Sequence, residues 1–214
     1  MKSIHLPALA CLFFSTLLPA QTNPLIINPS IVLPKDSIER TQLISSLNEL
    51  LEAAQKPNEE NKYVLPSERI ETYILLDELN GIEKSKKYKE DHFFKPYLSN
   101  IIPLKDKKYA VTVSYMGIGE QIPVLRASFE LIATKNNNAF LFSSPLIRNT
   151  RDWKTENHGN YIFHYKTSIN KTNALEYEKA ATMYDKKLKV INKTTELYCC
   201  EDLSELLKLI GVVY

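Results

Sequence analysis

An α+β fold, with helices packed on an antiparallel sheet and a strand–helix–strand–helix segment after it, is what this sequence predicts. Three observations carry that prediction. Apolar residues recur at helical spacing behind a capping signal early in the chain, they switch to strict alternation from Tyr109, and after Trp153 short strands and capped helices take turns. The 214 residues suit one large domain or two small ones. A composition of 44% hydrophobic and 24% charged residues is globular and not disordered.

Residues 1–20, MKSIHLPALACLFFSTLLPA, hold one lysine and then an uncharged apolar run from Leu6 to Ala20. The run is shorter than the roughly 20 residues of a membrane-spanning helix and fits an export signal cleaved after Ala20. Leu18 departs from the small residue preferred before such a cut. A rival reading takes Ala8-Leu9-Ala10-Cys11 as a lipoprotein site, but it leaves only Leu6 to Ala10 as the apolar core, too short for insertion. The expectation is therefore an exported protein, periplasmic or secreted, starting at Gln21 and without a transmembrane segment in the mature chain. Residues 21–35, with three prolines, read as an extended leader.

Residues 36–150 form the first α+β segment. Asp36-Ser37-Ile38-Glu39 is a capping box, and Leu43, Ile44, Leu47, Leu50, Leu51 and Ala54 follow at helical spacing until Pro57. A second helix is expected after Pro66-Ser67, burying Ile70, Tyr73, Ile74 and Leu76 and ending at Asn80-Gly81. Tyr109, Val111, Val113 and Tyr115 then alternate with polar or small residues, as do Leu125, Ala127, Phe129, Leu131 and Ala133. Gly117 to Gln121 reads as a hairpin connection and Lys135 to Asn138 as a turn, with Phe140 and Phe142 on the strand beyond it. Helices followed by an antiparallel meander suggest a curved sheet wrapped by helices, as in the NTF2-like cone.

Residues 151–214 form the second segment. Tyr161, Phe163 and Tyr165 alternate on a strand, Asn173-Ala174-Leu175-Glu176 reads as a helix cap, and Leu175, Ala180, Ala181, Tyr184 and Leu188 are the apolar residues of that helix. Thr195 to Cys199 is the next strand. Asp202 and Glu205 cap a last helix with Leu203, Leu206, Leu207 and Ile210 along one face, stopped by Gly211. Val212 and Val213 look like the start of a further strand. An apolar stripe that needs a cover, beside unpaired strand edges, leads to the expectation that the chain ends inside a domain.

The search for chemistry yields no catalytic, cofactor-binding or metal-ligating residue. Of the four histidines, His5 leaves with the signal. None of His92, His158 and His164 has the partner four residues away that a zinc-protease helix requires. His164 reads as a polar strand residue and His158 as a neighbour of the Gly159-Asn160 turn. Cys199 and Cys200 are adjacent, and neighbouring Cα atoms about 3.8 Å apart fall below the roughly 4.4 Å usual for a disulfide. They read as two strand residues facing opposite ways. The basic run Lys84 to Asp91 is diluted by acids and reads as a solvated loop, and a net charge of +2 does not call for nucleic acid. Twelve tyrosines suit either a sugar- or peptide-binding surface, with a peptide or small-molecule ligand as partner, or a sheet-to-helix core. Asn170 and Asn192 match the glycosylation acceptor pattern, which counts only in a eukaryotic secretory route.

From Gly159 to Tyr214 the order of elements resembles the opening of bacterial secreted gluzincin-like (peptidase MA-like) domains. The residues that carry it are the aromatic strand Tyr161 to Tyr165, the helix with Ala181 to Asp185, the strand that follows and the Ile210-Gly211 step. Leu125 to Leu146 resembles the accessory domain that precedes such modules. The resemblance implies an exported bacterial protein whose leading part is noncatalytic and serves in binding or scaffolding, the zinc-binding helix lying further on. No zinc-site residue carries over, so peptidase activity would belong to a longer form. Two other readings are a small-ligand-binding cone in residues 36–150 and an enzyme with a site of no known motif in the same segment.

Overall fold

The structure is a computed structural model and describes residues 25–83, 93–190 and 193–214. The export signal, the lipoprotein reading at Cys11, His92, the basic run at Lys84 and the acceptor Asn192 lie outside the described residues. In chain order the elements begin with β1 (Ile26–Ile27), α1 (Ser37–Ala53) and α2 (Arg69–Glu83). Next come β2 (Lys95–Pro103), β3 (Lys108–Gly119), β4 (Ile122–Asn136), β5 (Ala139–Ser143) and the single turn α3 (Leu146–Asn149). Then follow β6 (Lys154–His158), β7 (Tyr161–Tyr165), α4 (Lys171–Leu188), β8 (Thr195–Cys199), α5 (Leu203–Ile210) and β9 (Val212–Val213). The fold is α+β, as the sequence predicts, with helices packed on antiparallel-rich sheets.

The larger sheet runs β1-β2-β3-β4-β5, with β9 also on β4; the smaller runs β6-β7-β8. β2 through β5 form an antiparallel meander, while β1 joins β2 in parallel. Val111, Val113, Phe129, Leu131, Phe140 and Phe142 fill one face and are fully buried against α1 and α2. The hairpin tip is Glu120-Gln121, both with positive φ, and Asn137 turns β4 into β5. Register shifts at Leu98/Asn100 and at Tyr115/Met116 are bulges, which increase local twist and bend the sheet. The sequence does not announce β1 or β2, for β1 is two residues long and β2 carries Pro96 and Pro103, which mask a strand.

The first helix follows expectation: Asp36 Oδ1 accepts from Glu39 N–H at 2.8 Å, and Leu43, Leu47, Leu50, Leu51 and Ala54 are buried. The second does not keep its expected phase. Ile70 and Ile74 are 71% and 42% exposed, whereas Thr72, Leu75, Leu76, Leu79 and Ile82 face the core. The 3₁₀ turn Pro66–Glu68 feeds the helix in at a different rotation, and the chain continues helically through Asn80-Gly81 to Glu83.

Residues late in the chain complete the first sheet. β5 and β9 share one edge of β4, β5 opposite Ile132–Asn136 and β9 opposite Ser128 and Phe129. Between them the Glu130 N–H donates to Gly211 O at 2.7 Å. Gly211 caps α5 in the left-handed conformation, φ +98. Val212 and Val213 form the strand that the sequence suggests, and β4 is its partner. Leu206, Leu207 and Leu209 pack on the main core, while Leu203 stays 68% exposed. Ser144, 1% exposed, ties three elements together. Its N–H donates to Thr72 Oγ1 on α2, its hydroxyl donates to Ile210 O at the end of α5, and its Oγ accepts from Leu146 N–H in α3.

The smaller sheet buries Tyr161 and Phe163 against α4 and Ala174. That helix starts earlier than expected: Asn170 is its N-cap, with Oδ1 accepting from Asn173 N–H at 3.2 Å. Its expected apolar residues are mostly outside, Leu175, Tyr184 and Leu188 being exposed. Of the expected residues Ala181 does pack inward, and it is joined there by Ala174 and by the ring of Tyr177, which meets Tyr161 and Phe163 edge to face.

Gly211 gives the first test. A Cβ there would approach Glu130 O to 2.3 Å and Pro145 Cδ to 2.8 Å, in a backbone conformation that L side chains rarely adopt. Gly211→Ala should lower unfolding stability by about 2 kcal/mol or more, read as a drop in the urea midpoint; an unchanged midpoint would refute this account of the turn.

Candidate functional site

The face of the main sheet away from α1 and α2 is polar at its centre. Ser114 on β3 and Ser128 on β4 are cross-strand partners there, and Thr112 stands opposite Glu130. Three serines form a ladder across β2, β3 and β4. Ser99 Oγ lies 2.9 Å from Ser114 Oγ, and Ser114 Oγ lies 2.9 Å from Ser128 Oγ. Its direction follows from counting protons. Ser99 Oγ–H donates to the carbonyl of Thr112 at 3.1 Å, and a carbonyl oxygen can only accept. Ser99 must then accept from Ser114, and Ser114 from Ser128. Ser128 spends its single proton inside the ladder and offers only lone pairs beyond it.

Ser128 lines an open cleft of about 280 Å³ with Thr112, Glu130, Arg148, Asn149 and Lys208, over Gly211 and Val213. Each wall comes from a different element: β3, β4, α3, α5 and the turn into β9. Arg148 is held in place there. Its Nη2 donates to Glu130 Oε1, and Nε and Nη2 donate to Asn149 Oδ1, while Asn149 Nδ2 donates to Leu209 O at 3.0 Å. Such paired, oriented groups lose little freedom when a ligand arrives. Lys208 is exposed and has no ion pair within 4.0 Å among the described residues. A second open cleft of about 270 Å³, lined by Leu203, Leu207, Val213 and Tyr214 among others, adjoins the first and shares Lys208 and Val213 with it. None of these cleft residues stands out in the sequence, because no local spacing links Thr112, Glu130, Arg148 and Lys208.

The residues the sequence does bring forward lie elsewhere. His158, at the end of β6, contacts Glu156 Oε1 at 2.9 Å and the edge of Phe163. His164 stacks flat on Tyr198 with ring centres 4.5 Å apart, and its Nε2 sits 3.2 Å from Glu196 Oε2, outside hydrogen-bond geometry. Cys199 and Cys200 are free thiols, and burial pushes both above the ordinary thiol range. Among the described residues no group of three or more His, Cys, Asp or Glu is placed to hold a metal ion, and no helix is long and apolar enough to cross a membrane.

Beside the His164–Tyr198 stack, α2 brings acids close to the smaller sheet. Burial raises the Glu71 carboxyl above its ordinary value, with Glu68 and Glu196 adding repulsion. Tyr198 is pushed up to about 12, by burial first and then by Glu196, which also accepts its hydroxyl proton at 3.2 Å. The arrangement joins the two sheets by packing Tyr198 against the main core, at the cost of crowding carboxylates.

No family model, curated protein or solved structure gives a significant match to this chain.

The acid cluster has a measurable consequence. A carboxyl whose pKa is raised on folding favours the fold while protonated, and that contribution is lost as pH rises through the folded value. At pH 7 Glu71 therefore works against the fold. Glu71→Gln should stabilise the protein there by under about 1 kcal/mol, since the group is half-exposed. The gain should vanish below pH 4.5, the ordinary carboxyl value, in urea titrations run at both pH values.

Proposed function

We propose that this protein is a noncatalytic binding module of an exported bacterial, peptidase-like protein, and that the cleft over the open sheet face takes a small polar ligand. One observation carries the reading. Acceptors on Ser128 and Glu130 converge with donors on Arg148 and Lys208 over one concave surface, and four of its walls are fixed by backbone pairing or side-chain bonds. Concave sites with a few oriented polar groups are where small molecules bind. Export and the peptidase-like setting rest on the apolar run at residues 6–20 and on the element order between Tyr161 and Gly211.

A cone of the NTF2-like kind is a second reading, favoured by a bulged sheet beneath two helices. Its ligand would sit between helices and sheet. That space is filled here by Leu47, Leu50, Leu76, Val113, Phe129 and Phe142, all fully buried, so the opposite face is the better candidate.

Two measurements check the proposal. Fragment screening by amide NMR should give shifts clustered on Thr112, Ser128, Glu130, Gly211 and Val213. A screen whose hits all fall elsewhere, or that yields none, would sink the cleft as the binding site. Intact mass of the native protein recovered from the producing cells should show an N-terminus at Gln21; an N-terminus at Met1 would remove export from the reading.

A further inference from the structure

We infer that the cleft is built for a zwitterion, an α-amino acid with an apolar side chain, whose ammonium meets Ser128 and Glu130 and whose carboxylate meets Lys208 and Arg148. The inference rests on the binding role proposed above and narrows it to a ligand class.

Proton counting supplies the first half. The serine ladder leaves Ser128 Oγ an acceptor toward the cleft. Glu130 uses Oε1 on Arg148 and keeps Oε2 for another donor. Two acceptors on one strand, one of them a carboxylate, are placed for a group with several N–H donors and a positive charge. An anionic ligand alone would face Glu130 and two lone pairs of Ser128, none of which can donate to it.

The second half comes from the opposite wall. Arg148 is engaged through Nε and Nη2, which leaves Nη1 for a ligand, and Lys208 has no acidic partner within 4.0 Å among the described residues. A cation alone would leave these donors without an acceptor. The cleft thus asks for both signs on one small molecule, and its volume of about 280 Å³, just under the roughly 300 Å³ at which the range for ligand sites begins, suits only a small one. The adjoining apolar cleft shares Lys208 and Val213 with this one, and its Leu203, Leu207 and Val213 are exposed or half-exposed. An apolar side chain lying over Val213 would cover that surface and gain by its burial.

Three ligands separate the parts of this inference: L-leucine, leucinamide without the carboxylate, and 4-methylpentanoate without the ammonium. Titrated into the ¹⁵N-labelled protein, leucine should shift the Thr112, Ser128, Glu130 and Val213 amides. Either analogue should bind about tenfold more weakly or worse, for each loses charge-assisted hydrogen bonds. Lys208→Ala, an exposed change that spares the fold, should weaken leucine while leaving leucinamide unchanged. The inference is overturned if leucine leaves those amides unmoved, or if an analogue binds as tightly. Should another fragment shift the same amides while leucine does not, the ligand class falls and the binding role stands. If no compound shifts them, both fall.

Discussion

The backbone hydrogen bond from Glu130 N–H to Gly211 O joins the last turn of the chain to the middle of β4, and the rest of the molecule is arranged around it. It needs a residue without Cβ at Gly211, because the carbonyl of Glu130 and the ring of Pro145 leave no room for one. With that contact made, β9 occupies the part of the β4 edge that β5 leaves open, and α5 lies over the core so that Leu206 and Leu207 find cover. Ser144 fixes the same junction from beneath, through buried bonds that would each be costly to leave unmade. The cleft exists because this junction sets Lys208 and Arg148 beside Ser128 and Glu130.

The two faces of the main sheet divide the work. One is a continuous apolar layer, close-packed by the leucines of α1 and α2. On the other, serine hydroxyls satisfy one another in a single direction, so a half-buried polar row is tolerated and its last member is left with a defined preference. Satisfaction within the fold thus determines what the surface can accept. The same economy does not hold at the contact of α2 with the smaller sheet, where Glu68, Glu71 and Glu196 crowd together to bring Tyr198 into the core.

Much of this architecture is legible in the residues. The capping boxes at Asp36 and Asp202 mark two helix starts, and each accepts from the backbone three residues on. Strict alternation identifies β3, β4 and β7, since one buried face leaves an unmistakable period of two. Where tertiary packing overrides local pattern the reading fails. Ile70 and Ile74 look like the buried stripe of α2, but Thr72 and Leu75 are turned inward, where Thr72 Oγ1 accepts from Ser144 N–H. In α4, Leu175, Tyr184 and Leu188 are apolar without being buried, a distinction that composition alone does not make. The cleft is illegible for a different reason: its residues come from separate parts of the chain and meet through the pairing of β3 and β9 with β4 and the contact of Arg148 with Glu130.

Residues 154–199 form an excursion between two parts of one sheet. The chain leaves the main core at α3, builds β6, β7, α4 and β8, and comes back through α5, where Asn149 meets Leu209. Ser144 and Ile210, bonded to each other, are 66 residues apart in sequence. During synthesis the β2–β5 meander can pair as it emerges, but the edge of β4 beside Ser128 stays bare until that whole excursion has been made. Until then that strand edge is open to other strands, and Pro123 and the bulge at Arg126 lie beside it, features of the kind that blunt an unpaired edge.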